Sequence, residues 1–249
     1  MWRWLHPLAK PETSYRLADK LLPWFSILAV LVLSIGLVWG LVFAPADYQQ
    51  GDSFRIMYIH VPAAIFSMSV YFAMAAAAFI VLVWQWKISG WFIQAAAPVG
   101  AVLTAIALIT GAIWGKPTWG TWWVWDARLT SELILLFLYA GVLALYYAFE
   151  DSKKGMKAAA ILALVGVVNL PIIHFSVEWW NTLHQGASIT KFEAPSIAPS
   201  MLWPLLLALL GFALLSVALV LLRLKNEILR QELGKPWVSK ELHGEPSNG

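Results

Sequence analysis

Six long apolar runs, divided by short polar stretches, set the pattern of the chain. They cover Pro23–Phe43, Val61–Trp84, Trp91–Trp114, Leu129–Phe149, Ala158–Val177 and Met201–Leu222. Each has about the 20 residues that a helix needs to cross the hydrocarbon of a bilayer. Water is absent there, so each run should be helical, because a helix closes its own backbone hydrogen bonds. The pattern therefore predicts an all-α, polytopic membrane protein with six transmembrane helices, as a single integral membrane domain over residues 1–249. The remaining residues are too divided to build a sizeable soluble domain, and no repeat of 20–50 residues suggests a solenoid. The first run follows a basic stretch and ends at "APAD" (Ala44–Asp47), which has the look of a signal-peptide cleavage site. It is longer than the roughly 7–15 apolar residues of a signal peptide, so an uncleaved anchor is expected.

Composition agrees with this pattern. Of the 249 residues only 12% are charged, and the mean hydropathy is +0.70. Cysteine is absent. That excludes disulfides, thiolate metal sites, thiol catalysis and the C-x-x-C-H signature of covalent haem attachment.

Charge placement sets an orientation. Thirteen of the 17 Lys and Arg residues fall in the N-terminal tail, the second and fourth connections and the tail 223–249. Only Arg55, Lys116, Arg128 and Lys191 fall in the other connections. Basic residues favour the cytoplasmic side, so both ends should be cytoplasmic. The first, third and fifth connections then face outward. The tail starts as a charged helix and ends in Gly, Pro and Ser, the composition of a solvated end.

The outward face concentrates the candidate chemistry. The third connection, residues 115–128, carries "WGTWWVWD" (Trp119–Asp126), with Trp114 just before it. Tryptophan is enriched at membrane interfaces, and Trp24, Trp84, Trp86, Trp91 and Trp203 suit that role. Five tryptophans in the twelve residues from Trp114 to Trp125 exceed it. If Trp119–Asp126 forms a short amphipathic helix, Trp119, Trp122 and Trp123 share one face, and Trp125 and Asp126 extend its arc. Such a shelf suits a flat, largely apolar ligand.

Three histidines lie on the same side: His60 at the start of the second span, His174 near the end of the fifth, and His184 in the fifth connection. His6 and His243 lie in the tails and carry no assigned role. A macrocycle such as haem could stack on the shelf and take neutral imidazole from two sides. His60 and His184 flank the shelf. Each also has a structural reading: His60 as a cap of the second span, and His174 as the partner of a carbonyl freed by Pro171. Arg55, Lys116 and Arg128 could pair with propionates, or equally anchor lipid headgroups. Asp126 and Glu178 are candidates to orient an imidazole. Glu132 stands four residues beyond Arg128, the spacing of a helical ion pair.

With six spans, "WGTWWVWD" in an outward connection and one histidine in each flanking one, the chain resembles the CcmC family of tryptophan-rich (WWD motif) haem-handling membrane proteins. The resemblance implies a protein of cytochrome c maturation in the bacterial inner membrane, with its haem site on the periplasmic side. It implies that haem b is bound non-covalently and presented to the haem chaperone CcmE, alongside CcmD and the ABC-type subunits CcmA and CcmB. His60 and His184 take the place of the family's axial ligands to the haem iron. Trp119, Trp122, Trp123, Trp125 and Asp126 take the place of its tryptophan-rich motif; Trp114 beside it, and Arg55 and Arg128 as candidates for the propionates, complete the cofactor-binding set expected from the residues themselves. His174 is left structural. The chain would then be a delivery protein and not an enzyme, with at most an auxiliary part in loading haem covalently onto CcmE. Two alternatives are a bis-His b-type cytochrome in electron transfer and a transporter of haem or another solute. Loop-edge histidines disfavour the first, and spans nearly free of charge disfavour the second. A purely structural subunit is a third, which haem content would test directly.

Overall fold

The computed structural model describes residues 9–180, 182–184, 186 and 196–243. Helix α1 (Pro11–Val38) is prolonged by a wider π turn, Trp39–Phe43. A short 3-10 helix, Asp52–Ile56, leads into α2 (Met57–Trp84). After a tight turn come α3 (Lys87–Trp119), α4 (Ala127–Tyr147), α5 (Ser152–Gly166) and α6 (Asn169–Trp179). Then follow α7 (Pro199–Gln231) and α8 (Pro236–His243). Six of the resulting helical segments are long and apolar enough to cross a membrane, so the chain is an all-helical, multi-pass membrane protein.

The helices overrun the apolar runs. α3 continues to Trp119 and α7 to Gln231, because amphipathic turns persist past the hydrocarbon-length core of each run. The fifth segment is not one smooth helix. It breaks at Val167–Val168, between α5 and α6, immediately before the Asn169–Pro171 stretch that suggested a disruption. Asn169 fixes the join by donating from Nδ2 to the Ser131 carbonyl at 2.9 Å.

The core lies where α2, α3, α4 and α5 meet, around Tyr71, Met74, Leu135 and Tyr139, with Ala96, Ala97, Ala160 and Ala163 between them. Between helices in lipid, small residues matter because close backbone approach supplies the packing energy that water cannot. The α1–α7 seam shows this most sharply. A Cβ on Gly36 would stand 2.7 Å from the Ala208 nitrogen, and one on Gly211 would stand 2.7 Å from Leu33 Cα. α1 otherwise exposes Trp24, Val30 and Ile35 on its outer side, the surface that lipid would cover.

Both described chain ends meet at one end of the bundle. Tyr15 of α1 packs on Trp237 of α8 with ring centroids 5.5 Å apart, in a cluster with Trp91, Leu224 and Ile228. The basic residues assigned to the cytoplasm gather at this end, with Arg3 outside the described residues. Arg55, Lys116 and Arg128 occupy the opposite end; Lys191 lies outside the described residues.

Candidate functional site

At the end away from the termini a cavity of about 640 Å³ opens among α2, α3, α4, α6 and α7. That lies within the roughly 300–1,000 Å³ of small-molecule and cofactor sites. His60, His184, Trp114, Trp119 and Arg128 line it. Met57, Val61, Ile65 and Met68 make an apolar wall down one side of α2.

His60 sits in the first turns of α2. Its Nδ1 lies 3.0 Å from the Ala107 carbonyl and 3.1 Å from Thr110 Oγ1, both on α3. The Thr110 hydroxyl itself donates to the Ile106 carbonyl at 2.6 Å, so it meets the imidazole as an acceptor. Both partners accept, so Nδ1 carries the hydrogen and the Nε2 lone pair is left for a ligand. His60 thus braces α2 against α3 instead of capping its own helix. The seam is tight, since a Cβ on Gly111 would stand 2.9 Å from His60 Cε1. Trp114 meets the His60 ring edge-on, with centroids 5.7 Å apart at 81°. It is itself held by Phe54 and by a 2.7 Å bond from Nε1 to Gln50 Oε1.

His184 reaches the cavity from the connection after α6. Its Nδ1 lies 3.0 Å from Asp126 Oδ2. Asp126 is the residue before α4, and its Oδ1 accepts from the Leu129 backbone N–H at 2.8 Å. One carboxylate therefore caps a helix with one oxygen and holds an imidazole with the other, which is what keeps it fixed. The His184 side chain is 14% exposed and that of Asp126 is 4% exposed. Burial is the larger influence on His184 and lowers its pKa below the ordinary histidine value, while the Asp126 carboxylate opposes the shift. A neutral imidazole at neutral pH is the form that binds a metal. Trp119 meets this ring edge-on as well, at 4.7 Å and 69°.

The tryptophan segment is not a helix. α3 ends at Trp119, where Gly120 takes a positive φ of 78° and its N–H bonds the Lys116 carbonyl. Such a left-handed residue terminates helices and suits glycine. Residues 121–126 form an irregular loop, bent at Thr121 and Trp122, until Asp126 starts α4. The four tryptophans of the run therefore do not share a face. Trp119 lines the cavity. Trp122 and Trp125 are 57% and 75% exposed, and Trp123 packs edge-on against Trp125 at 5.3 Å with its Nε1 buried and without a partner among the described residues.

The basic residues separate too. Arg128 faces the cavity, donating from Nε to Ser176 Oγ at 3.0 Å and from Nη2 to the His174 and Ile173 carbonyls at 3.1 and 3.4 Å. Pro171 leaves the Val167 carbonyl without its helical partner, and the Leu170 N–H answers it at 3.0 Å instead of His174. The His174 ring packs on Phe175 at 4.7 Å. Arg55 is turned away from the cavity, paired with Asp52 at 2.9 Å and bonded to the Gly40 and Leu41 carbonyls that end the first segment. Lys116 is occupied with the Gly120 carbonyl at 3.0 Å. Glu178 is exposed.

The helical Arg128–Glu132 pair does not form. Glu132 is buried, 6% exposed, and accepts from Ser67 Oγ at 2.9 Å while lining the cavity. Arg128 leans the other way because α6 offers it three acceptors.

A family model described as "Heme exporter protein C" matches residues 4–239. The chain belongs to that family. Relatives of that name include one from Haemophilus influenzae, 63% identical over 238 residues, which cover 96% of this chain and 97% of the relative. One from Escherichia coli K12 is 59% identical over 240 residues, covering 96% and 97%. A more distant one, from Bradyrhizobium diazoefficiens, is 48% identical over 226 residues, covering 91% and 86%.

For this member of the heme exporter C family, reading the sequence overlooked three groups of the site. Glu132 was legible as an acid inside an apolar run, a mark of function in membrane helices. Thr110 and Ala107, which fix the His60 ring, carry no signal in the sequence, because any α3 turn offers a carbonyl. Gln50 is also silent, since its role depends on where Trp114 lands.

Proposed function

We propose that this protein binds haem b non-covalently in the cavity between His60 and His184 and presents it, on the periplasmic side of the inner membrane, to the chaperone CcmE during cytochrome c maturation. CcmD and the ABC-type subunits CcmA and CcmB are its partners in that assembly. One observation carries the reading. Two imidazoles from separate segments line one cavity, each with Nδ1 engaged by an acceptor and Nε2 without a protein partner among the described residues. The relatives' name supports haem as the ligand. The sparse positive charge at this end supports the outward orientation.

The donor set fits a haem. A haem bound there would find two neutral nitrogen donors for its iron and an apolar wall for its macrocycle. His60 and His184 supply the nitrogens, and Trp114 and Trp119 hold the two rings edge-on. Arg128 turns a guanidinium toward the cavity, with no partner for Nη1 among the described residues, and a guanidinium is the group suited to a propionate. The role we assign to this site is delivery of the bound haem.

Visible spectra of the purified protein test this. The unaltered chain should carry haem with a six-coordinate, low-spin spectrum. His60→Ala and His184→Ala should each lose most of it, and added imidazole should restore part. Normal haem content in both single variants would overturn the ligand assignment.

A further inference from the structure

The two imidazoles are held by chemically different partners. His184 Nδ1 faces a carboxylate at 3.0 Å, and that carboxylate is fixed by its bond to the Leu129 N–H. His60 Nδ1 divides its hydrogen between a carbonyl at 3.0 Å and a hydroxyl at 3.1 Å, both neutral. A hydrogen bond to an ionised acceptor is roughly twice as strong as one between neutral groups. Passed through the ring, it makes Nε2 a better electron donor to a metal. Position in the chain argues for the reverse order, because His60 stands on a long helix and His184 on a connection. Each ring has an edge-on tryptophan, so the carboxylate is what offsets that difference.

On the reading that haem binds between them, we propose that His60 and His184 are unequal ligands: His184, backed by Asp126, is the retained bond, and His60 is the bond that opens first at handover. Asp126 is then a positioning residue acting through His184. An incoming ligand from a partner would replace His60 on the face of the cavity bordered by α2 and α3. The macrocycle would stay tethered to the connection that α6 and α4 hold together.

The test uses the full chain in detergent, loaded with haem, and follows transfer to excess apomyoglobin as a haem scavenger. His184→Ala, left with His60 alone, should lose haem at least about tenfold faster than His60→Ala, left with His184 alone. Asp126→Asn keeps an oxygen for the Leu129 N–H, so α4 remains capped. In the His60→Ala background it should speed haem loss by roughly 10–100-fold, the usual cost of removing such a supporting group, and so erase the difference. Thr110→Val in the His184→Ala background should change the rate less. The midpoint potential of the unaltered protein gives a readout that simple misfolding would not move. Losing the carboxylate favours the reduced iron, so Asp126→Asn should raise it, while Thr110→Val leaves it near its starting value. Equal loss rates from the two single-histidine proteins, or faster loss from His60→Ala, would overturn the unequal order while leaving haem binding intact. Unaltered protein that takes up no haem would overturn the binding reading and this inference with it.

Discussion

The two ends of the bundle handle their polar groups in opposite ways. At the end where the termini meet, charges and hydroxyls answer one another. Arg230 and Gln231 bond Glu227 at 2.8 Å, Lys225 pairs with Asp19, and Arg223 donates to the Ala95 carbonyl at 3.0 Å. At the cavity end, two imidazole Nε2 atoms, one guanidinium nitrogen of Arg128 and the carboxyl of Glu132 meet a hollow instead. Polar side chains that converge on an apolar-walled hollow mark a place shaped for something that arrives later. The sealed end holds the helices in register, and the open end uses that register to aim side chains.

Substitutions at tight helix seams give the largest contrast. Gly111→Leu would drive a side chain into His60, since even a Cβ stands 2.9 Å from its ring. Haem content should fall at least about tenfold while far-ultraviolet circular dichroism stays unchanged. Gly36→Ala meets the α7 backbone at 2.7 Å and should cost about 1–3 kcal/mol of stability. The haem spectrum of the protein that remains folded should be normal. If both substitutions altered the haem spectrum alike, the division between a holding end and a binding end would fail.

Acid should act on the open end next. His184 has a lowered pKa, so above the ordinary histidine value of about 6.5 it is neutral both folded and unfolded. As the pH falls below that value, the unfolded chain takes up the proton first and the folded state loses stability, until the pH has passed the lowered value. The proton also competes with the iron for imidazole. Haem retention and thermal stability should therefore be flat from about pH 7 to 8 and decline together below about 6.5. Retention that rises on acidification would contradict the assignment of His184.

Within the tryptophan segment the effect should divide by position. Trp119→Ala removes the ring against His184 and should weaken haem binding by roughly 0.5–1.5 kcal/mol. Trp125→Ala, at a residue 75% exposed, should leave haem content nearly unchanged and affect only contacts outside the cavity. Equilibrium haem titrations compare the two, and equal losses would restore the idea of a continuous shelf.

The smallest effects belong to exposed ion pairs. Arg55→Gln breaks its bond to Asp52, which is 79% exposed, and should cost no more than about 1 kcal/mol. Haem content should not change, because Arg55 is turned from the cavity. A strong loss of haem from Arg55→Gln would show that this side chain swings inward when the ligand binds.

The helical class, the six segments and the division of charge between two ends were all legible in the chain. So was the placing of His60, His184 and Trp119 at one end of the bundle. These are one-dimensional properties: a run of about 20 apolar residues must be a helix in lipid whatever it packs against, and basic residues distribute by side. Individual partners were not legible. Arg128 and Glu132 have the spacing of an ion pair, yet α6 draws one away and Ser67 of α2 takes the other. Helical periodicity placed Trp119, Trp122 and Trp123 on one face with Trp125 extending the arc, but a left-handed Gly120 ends the helix, and of this run Trp119 alone lines the cavity. That Asp126 both starts α4 and holds His184 depends on a connection 58 residues away folding back over it. Hydropathy and charge act along the chain, and the chain alone states them. Which acceptor a buried donor finds depends on which helices become neighbours, and only the packed structure decides that.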